Sequence, residues 1–407
     1  MRRRDTFLTG HFERKIQEPR IVAFTRFVKN FVPTRFARRA RDDDDDFGAR
    51  ETRLPVMDGI PPVPFSGLPD EASELQKPPS MSGVVYLTRG VSPGFAAAQR
   101  MEDDGTLDAA LAHEEHEAFV ALLRDKGGPL ATVVDIPADP DQPDCVFVED
   151  TLVALPGRGV LRCAPHDSRA GEVPPVADAA ASVSFEFPAG RVHVDGEALA
   201  SNGERIEGGD VLYVRGGDDV YHHYFVGVGN RSNSKGADAL RRALAASASR
   251  ARAAKTSADS SKNSRAETDD SALFRVHEID MSLDKTWLHL KSALTWAPYV
   301  GFVVSSTECP LFRACRDCLQ SHEATNVNKI KSDPVVVPRA RQGAANVLVV
   351  PGGVVFCHPA AAAEVKKAGG KQIEVVAVEQ PELGRADGAL TCGVLVLDPF
   401  FEWGSFS

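Results

Sequence analysis

The feature that most limits what this chain can become is a series of short apolar segments arriving in pairs, with helical stretches between them. From residue 81 onward these read MSGVVYLT, ATVVDI, CVFVED, TLVALPG, GVLRCA, DVLYVR, HYFVGVG, VGFVVSS, ANVLVVPGG, VVFCHP, IEVVAVE and ALTCGVLVL. Each has the length and β-branched content of a strand rather than of a helix. Residues 107–126 form the clearest helix, with Leu107, Leu111, Ala118, Leu122 and Leu123 as its core-facing stripe and Gly127-Gly128 ending it. Further helices are expected over residues 235–244 and 309–319. Strand pairs separated by helices predict a compact α/β domain of several similar units, although the units share too little sequence to establish a repeat. No apolar run approaches the roughly 18–20 residues needed to cross a bilayer, so no membrane partner is expected.

The first 80 residues do not share this pattern. Residues 1–41 hold ten Arg and two Lys against Asp5, Glu13 and Glu18, and the five acids of 42–46 follow. Residues 54–80 are Pro-rich and read as an extended linker. The basic stretch reads either as an organelle transit peptide or as a disordered arm folded over by the acidic run, a nucleic-acid arm being a weaker third option. A cytoplasmic protein, organellar if that segment directs it, is expected. Residues 245–272, rich in Ala, Ser and charge, read as a disordered insertion in a surface loop. The whole chain carries a net charge of −10, which excludes a general positive field for nucleic acid but suits a small cationic substrate. Seven cysteines, an odd and scattered set, form no disulfide framework and fit a reducing compartment. Cys309, Cys315, Cys318 and His322 contain one C-x-x-C spacing with no distant second pair, so a metal site there is disfavoured.

Several segments could carry chemistry. Asp144, Glu149 and Asp150 bracket an apolar CVFV stretch. If that stretch is a strand, Asp144 and Asp150 share a face with Val146 and Val148, and Glu149 lies on the other. Such acids suit a cation, and a planar guanidinium above all, but solvated strand ends are the simpler reading. Glu207-Gly208-Gly209-Asp210 precedes the strand VLYVR, where two glycines permit a tight turn or a close backbone approach. His289 sits among apolar neighbours, and a buried imidazole needs a partner, which a carboxylate would supply. Cys392 precedes the strand GVLVLD near the C-terminus, where a sulfur could face a pocket or fill core space.

Taken in order, DCVFVED, the S-R-x-x-E-V segment, E-GGD-VL, FVG-x-x-x-R-S-N, LHLKS and DG-x-LTC resemble the dimethylarginine dimethylaminohydrolases, relatives of the arginine deiminases among guanidino-modifying enzymes. The resemblance runs from about residue 81 to residue 397. It implies a pentein, a pseudo-five-fold α/β propeller of ββαβ units over residues 81–407. It implies hydrolysis of Nω-methylated arginine to citrulline and an alkylamine, without a cofactor or metal. By the same resemblance Cys392 is the nucleophile, His289 the acid and base, and Glu207 the residue that orients His289. Asp144, Glu149 and Asp150 line an acidic wall, Arg169 and Arg231 clamp the α-carboxylate, and Ala386 and Asp387 lie beside the nucleophile. Ala386 replaces a bulkier family residue. The alternatives are an arginine deiminase, which carries Asp where this chain has Lys291, and a non-catalytic module on the same fold. The partner expected is a small-molecule substrate, the protein being a monomer or homodimer.

Overall fold

The computed structural model describes residues 80–398, apart from several short stretches of which 259–273 and 322–332 are the longest. The expected extension over residues 1–79 and His322 lie outside the described residues.

The chain opens with β1 (Ser80–Met81), β2 (Val85–Arg89), α1 (Ala109–Lys126) and β3 (Thr132–Ile136). The next unit is β4 (Leu152–Leu155), β5 (Gly159–Arg162), α2 (Val173–Ser182), a short β6 (Ser184–Phe185) and β7 (Gly190–Arg191), and β8 (His193–Asp195). Then come β9 (Val211–Val214), β10 (His222–Val228), α3 (Ser234–Ala258) and β11 (Phe274–Asp280). After α4 (Leu290–Ala293), the fourth unit is β12 (Leu294–Ala297), β13 (Gly301–Val304), α5 (Pro310–Ser321) and β14 (Val335–Val336). Last are β15 (Leu348–Val350), β16 (Val354–Cys357), α6 (Pro359–Gly369), β17 (Glu374–Ala377), α7 (Pro381–Arg385) and β18 (Leu395–Leu397).

Five three-stranded sheets share one plan: an inner strand pairs antiparallel with the next strand, and a helical crossover brings the third alongside in parallel. The fifth sheet joins the two ends of the domain, because β18 pairs antiparallel with β2, whose other neighbour is the parallel β3. These are the ββαβ repeats expected. Their inner strands touch across units, β9 against β12 and β18 against β4. The parallel third strands need crossovers, and the helices that supply them cover apolar sheet faces.

Three expectations are corrected. In α1 the buried face is Ala112, His116, Phe119, Val120 and Leu123, while Leu111 is 49% exposed and Ala118 faces solvent. The bulky Phe119 and Val120 set the helix's rotation, and Asp108 caps it by accepting the Ala110 and Leu111 N–H groups. The segment 245–272 is not a disordered insertion from its start, since α3 continues to Ala258. Its apolar face carries Ala237, Leu240, Leu244 and Ala248, which follow at helical spacing and are all buried. Arg250 in the same segment pairs with Asp195 of β8. Finally, CVFVED is not a strand. Residues 144–147 turn tightly and Val148–Thr151 is one 3-10 turn, so both of its supposed faces are buried.

Candidate active site

The residues with chemical potential come from the segments that lead into the five inner strands. Glu149, Asp150 and Thr151 precede β4, Glu207–Asp210 precede β9, and His289 stands just before α4 and β12. Asn346 precedes β15, and Thr391 and Cys392 precede β18. Side chains and backbone link these five ends in a closed circuit. The Gly209 N–H donates to Asp150 Oδ1 at 2.9 Å. The Leu290 N–H donates to Asp210 Oδ1 at 3.1 Å. Asn346 Nδ2 donates to the Lys291 carbonyl at 3.2 Å, and Asn346 Oδ1 accepts the Thr391 N–H at 3.0 Å. Thr391 Oγ1 donates to Glu149 Oε2 at 2.8 Å, which returns the circuit to its start. The Glu149 N–H also donates to the Cys392 carbonyl at 3.1 Å.

The Gly-Gly of residues 208–209 serves close approach. A Cβ on Gly208 would lie 1.9 Å from the Glu149 carbonyl oxygen, and one on Gly209 would lie 2.8 Å from both Asp150 Oδ1 and the His289 ring. Only glycine lets the three segments meet here.

His289 is fully buried among acids. Its Nε2 is 2.6 Å from Glu207 Oε2 and 3.8 Å from Asp150 Oδ1. Burial alone would lower the imidazole pKa, but Asp150, the Glu207 hydrogen bond and Asp210 push it up to about 9. Against the same burial, the His289 contact holds Glu207 below its ordinary value. Asp150 is held far below the carboxylate range by His289 and Arg169 despite burial. Asp210 goes the other way: burial raises it to about 6, even with Ser232 Oγ donating to it at 2.7 Å. Burial, then Glu149 and Asp150, push the Cys392 thiol well up, and Lys291 opposes them. Asp150 is thus among the acids that raise both Cys392 and His289. Asp150, Glu207 and His289 also hold ligand atoms within 4.8 Å of one another, near enough to gather a cation.

Glu149 is salt-bridged to Lys291 Nζ at 2.5 Å, yet burial still raises its pKa. Arg169 is buried with its guanidinium committed. Nη1 donates to Asp150 at 2.7 Å, Nε and Nη2 fork onto Glu172, and Nη2 reaches the Phe147 carbonyl. Arg231, expected with it as a clamp on the α-carboxylate, stands at the rim and is less buried. It lies 3.7 Å from Glu207 Oε1 and 3.4 Å from Gln99 Oε1. Gln99 in turn donates its backbone N–H to Asp144 Oδ1 at 3.0 Å and its side-chain amide to Ser168 at 2.7 Å. Ala386 packs in one apolar cluster with Cys392 and Phe147. Asp387 has φ +57 and accepts the Met101 N–H.

Sequence reasoning assigned no role to Glu172, the acid of the S-R-x-x-E-V segment, or to Gln99 and Asn346. Glu172 could have been found as the acid three positions after Arg169, an ion-pair spacing on a helical turn. Gln99 and Asn346 carry no charge and no spacing signal.

Comparison with known proteins gives concordant results. The arginine deiminase family model matches residues 183–398. An N(G),N(G)-dimethylarginine dimethylaminohydrolase of Streptomyces coelicolor is 33% identical over 142 residues, which is 34% of this chain and 46% of that protein. The aligned region thus spans less than half of that relative's length. Among solved structures, a DDAH from Pseudomonas aeruginosa complexed with citrulline is 18% identical with a TM-score of 0.53, covering 78% of this chain and 99% of that one. The N-terminal domain of ArgZ, described as an arginine dihydrolase of cyanobacteria, is 15% identical with a TM-score of 0.53, covering 77% and 98%. At these identities the structures speak for the pentein fold alone.

Proposed function

Because the chain belongs to the arginine deiminase family, we propose that it hydrolyses a guanidino C–N bond of an arginine-like amino acid, and specifically that it converts Nω-methylated arginine to citrulline and an alkylamine. The observation that carries this reading is the ring of contacts that joins the Cys392 turn to Glu149, through Thr391 Oγ1 and the Glu149 N–H, and the neighbouring Asp150 through Gly209 to the turn whose Glu207 holds His289.

A guanidinium is resonance-stabilised and a poor electrophile, so it must be held still beside a strong nucleophile and lose a neutral amine. In the resting pocket two carboxylates disfavour the thiolate of Cys392. A bound guanidinium brings the opposite charge and lowers the thiol pKa where it is needed, so that the thiol proton is lost to bulk water. The thiolate then attacks the guanidinium carbon and forms a C–S bond. His289, protonated at neutral pH with its pKa near 9, gives its proton to the departing alkylamine as the C–N bond breaks. The S-alkylthiouronium left behind is attacked by water whose proton returns to His289. The C–S bond breaks as the second proton of that water passes to the sulfur, and citrulline and the free thiol of Cys392 are released. Glu207 fixes the imidazole through Nε2, leaving Nδ1 for the proton transfers. In this reading the buried Asp144 takes the α-amino end and Arg231, at the rim, the α-carboxylate end of the substrate. Arg169, its donors already engaged, supports this wall by holding Asp150.

Arginine deimination is the second reading, favoured by the family name alone. Lys291 argues against it. The residue two positions after His289 puts an ammonium on Glu149. Unmodified arginine has two free ω-amino groups that call for two available carboxylates, whereas a dimethylated nitrogen has no hydrogen to donate. The test is to incubate the protein with asymmetric dimethylarginine and with arginine, measuring citrulline, dimethylamine and ammonia. Citrulline with dimethylamine from the first compound is expected. Ammonia from arginine instead would support the deiminase reading, and citrulline from neither would leave a non-catalytic module. In the active protein Glu207→Gln should lower kcat strongly with a smaller effect on KM.

A further inference from the structure

We propose that Asn346 is a positioning residue for the nucleophile, holding the Cys392 turn and setting the direction of the hydrogen bond that Thr391 gives to Glu149. The inference rests on the proposed reaction and deepens it. The unit that opens with β15 supplies none of the charged candidates, yet the circuit of contacts around the site passes through it at this single amide.

Asn346 is 1% exposed, and its side-chain hydrogen bonds all go to the segments of Lys291 and Thr391. Oδ1 accepts the Thr391 N–H at 3.0 Å. Nδ2 donates to Thr391 Oγ1 at 3.0 Å and to the Lys291 carbonyl at 3.2 Å. The amide cannot be flipped without setting its NH2 group against an N–H and its oxygen against a carbonyl. Its orientation therefore dictates that of Thr391. Since Thr391 Oγ1 accepts from Nδ2, its own hydrogen is left to point at Glu149 Oε2, 2.8 Å away. Lys291, whose carbonyl Asn346 also holds, caps the other oxygen of Glu149 at 2.5 Å. One side chain thus braces both groups that oppose the effect of burial on Glu149, and it anchors the residue preceding the sulfur.

Asn346→Ala leaves the Thr391 N–H without its acceptor and the hydroxyl free to rotate. Displacement of the nucleophile by a fraction of an ångström then slows the chemical step by about 100-fold with KM little changed. Thr391→Val keeps the side chain's shape and removes the hydroxyl, and it slows turnover about tenfold, the value of one hydrogen bond to a charged group.

The experiment is a double-mutant cycle on kcat using Asn346→Ala, Thr391→Val and the combined variant. Alkylation of Cys392 by iodoacetamide across pH is followed in parallel, as a readout that does not need turnover. If the two residues act through one hydrogen bond, the double variant is no slower than Asn346→Ala alone, and both single variants shift the alkylation profile in the same direction. A double variant slower by the product of the single effects overturns the proposal. So does an Asn346→Ala variant with wild-type kcat and alkylation profile, or one whose loss of kcat is matched by a loss of folded protein. Failure of the wild-type protein to release citrulline from any arginine compound would count against the proposed reaction, and the alkylation arm would still test the positioning.

Discussion

Replacing Arg169 by Met puts the electrostatics of the pocket wall to a direct test. The guanidinium touches Asp150 at 2.7 Å and Glu172 at 2.7 Å, and all three side chains are at most 6% exposed. Met keeps the apolar stem and removes the charge, stranding two buried carboxylates. Breaking a buried ion pair from one side costs about 3–5 kcal/mol, far above the value of a surface pair. The loss must depend on pH. Burial already raises Glu172 to about 6 with Arg169 in place. An acid with a raised pKa contributes stability that is complete below its unfolded value near 4.5 and is lost as pH rises through its folded value. Without Arg169 the folded value climbs further, so the loss on the alkaline side grows. Urea unfolding of Arg169→Met should show the full deficit at pH 8 and a deficit smaller by about 1–2 kcal/mol at pH 5.5, each unit of pKa being worth about 1.4 kcal/mol. A second substitution, Glu172→Gln, should recover part of the loss at pH 8. A deficit below about 1 kcal/mol, or one equal at the two pH values, would show that the wall is not held by this charge network.

Other perturbations separate the remaining claims. His289 gains a proton on folding, so its contribution is present below pH 6.5 and fades as pH rises through about 9; Tm should fall over that interval, and Glu207→Gln should flatten the fall. Cys392→Ser should abolish citrulline release with an unchanged melting curve, and residual turnover would point to another nucleophile. Gly209→Ala puts a methyl group 2.8 Å from the His289 ring and should cost about 1–3 kcal/mol with loss of activity, read by unfolding and by the citrulline assay. Ala248→Asp should destabilise the protein by more than 2 kcal/mol if α3 packs through this point, a rough figure for a buried unpaired charge; no change in the urea midpoint would return residue 248 to the surface.

Much of the fold was legible because strand pairing writes itself locally. β4 and β5, or β15 and β16, are adjacent apolar runs split by a glycine-bearing turn, and nothing distant is needed to recognise them. The helical part of 245–258 was not legible, because its described buried positions, Ser247 and Ala248, are small residues whose burial shows only once a sheet lies beneath them. CVFVED misled for a related reason. Alternation of acids and apolar residues is the mark of a half-buried strand, but a loop enclosed on every side buries both sets.

At the site, the residue types and their order were set in the chain: a late Cys, a His among apolar residues, Glu before Gly-Gly-Asp, acids around CVFV. Their meeting was not. Glu149 and Thr391 are joined across 242 positions, and His289 and Glu207 across 82. Only closure of the sheets, with β18 returning to β2, brings five strand entrances together. The division of labour between the arginines was likewise a tertiary matter. Sequence gives each a charge, but only burial next to Asp150 and Glu172 commits one guanidinium inward while the other stays at the rim. Composition fixes which groups can ionise; the low dielectric and the neighbours created by folding decide which of them do.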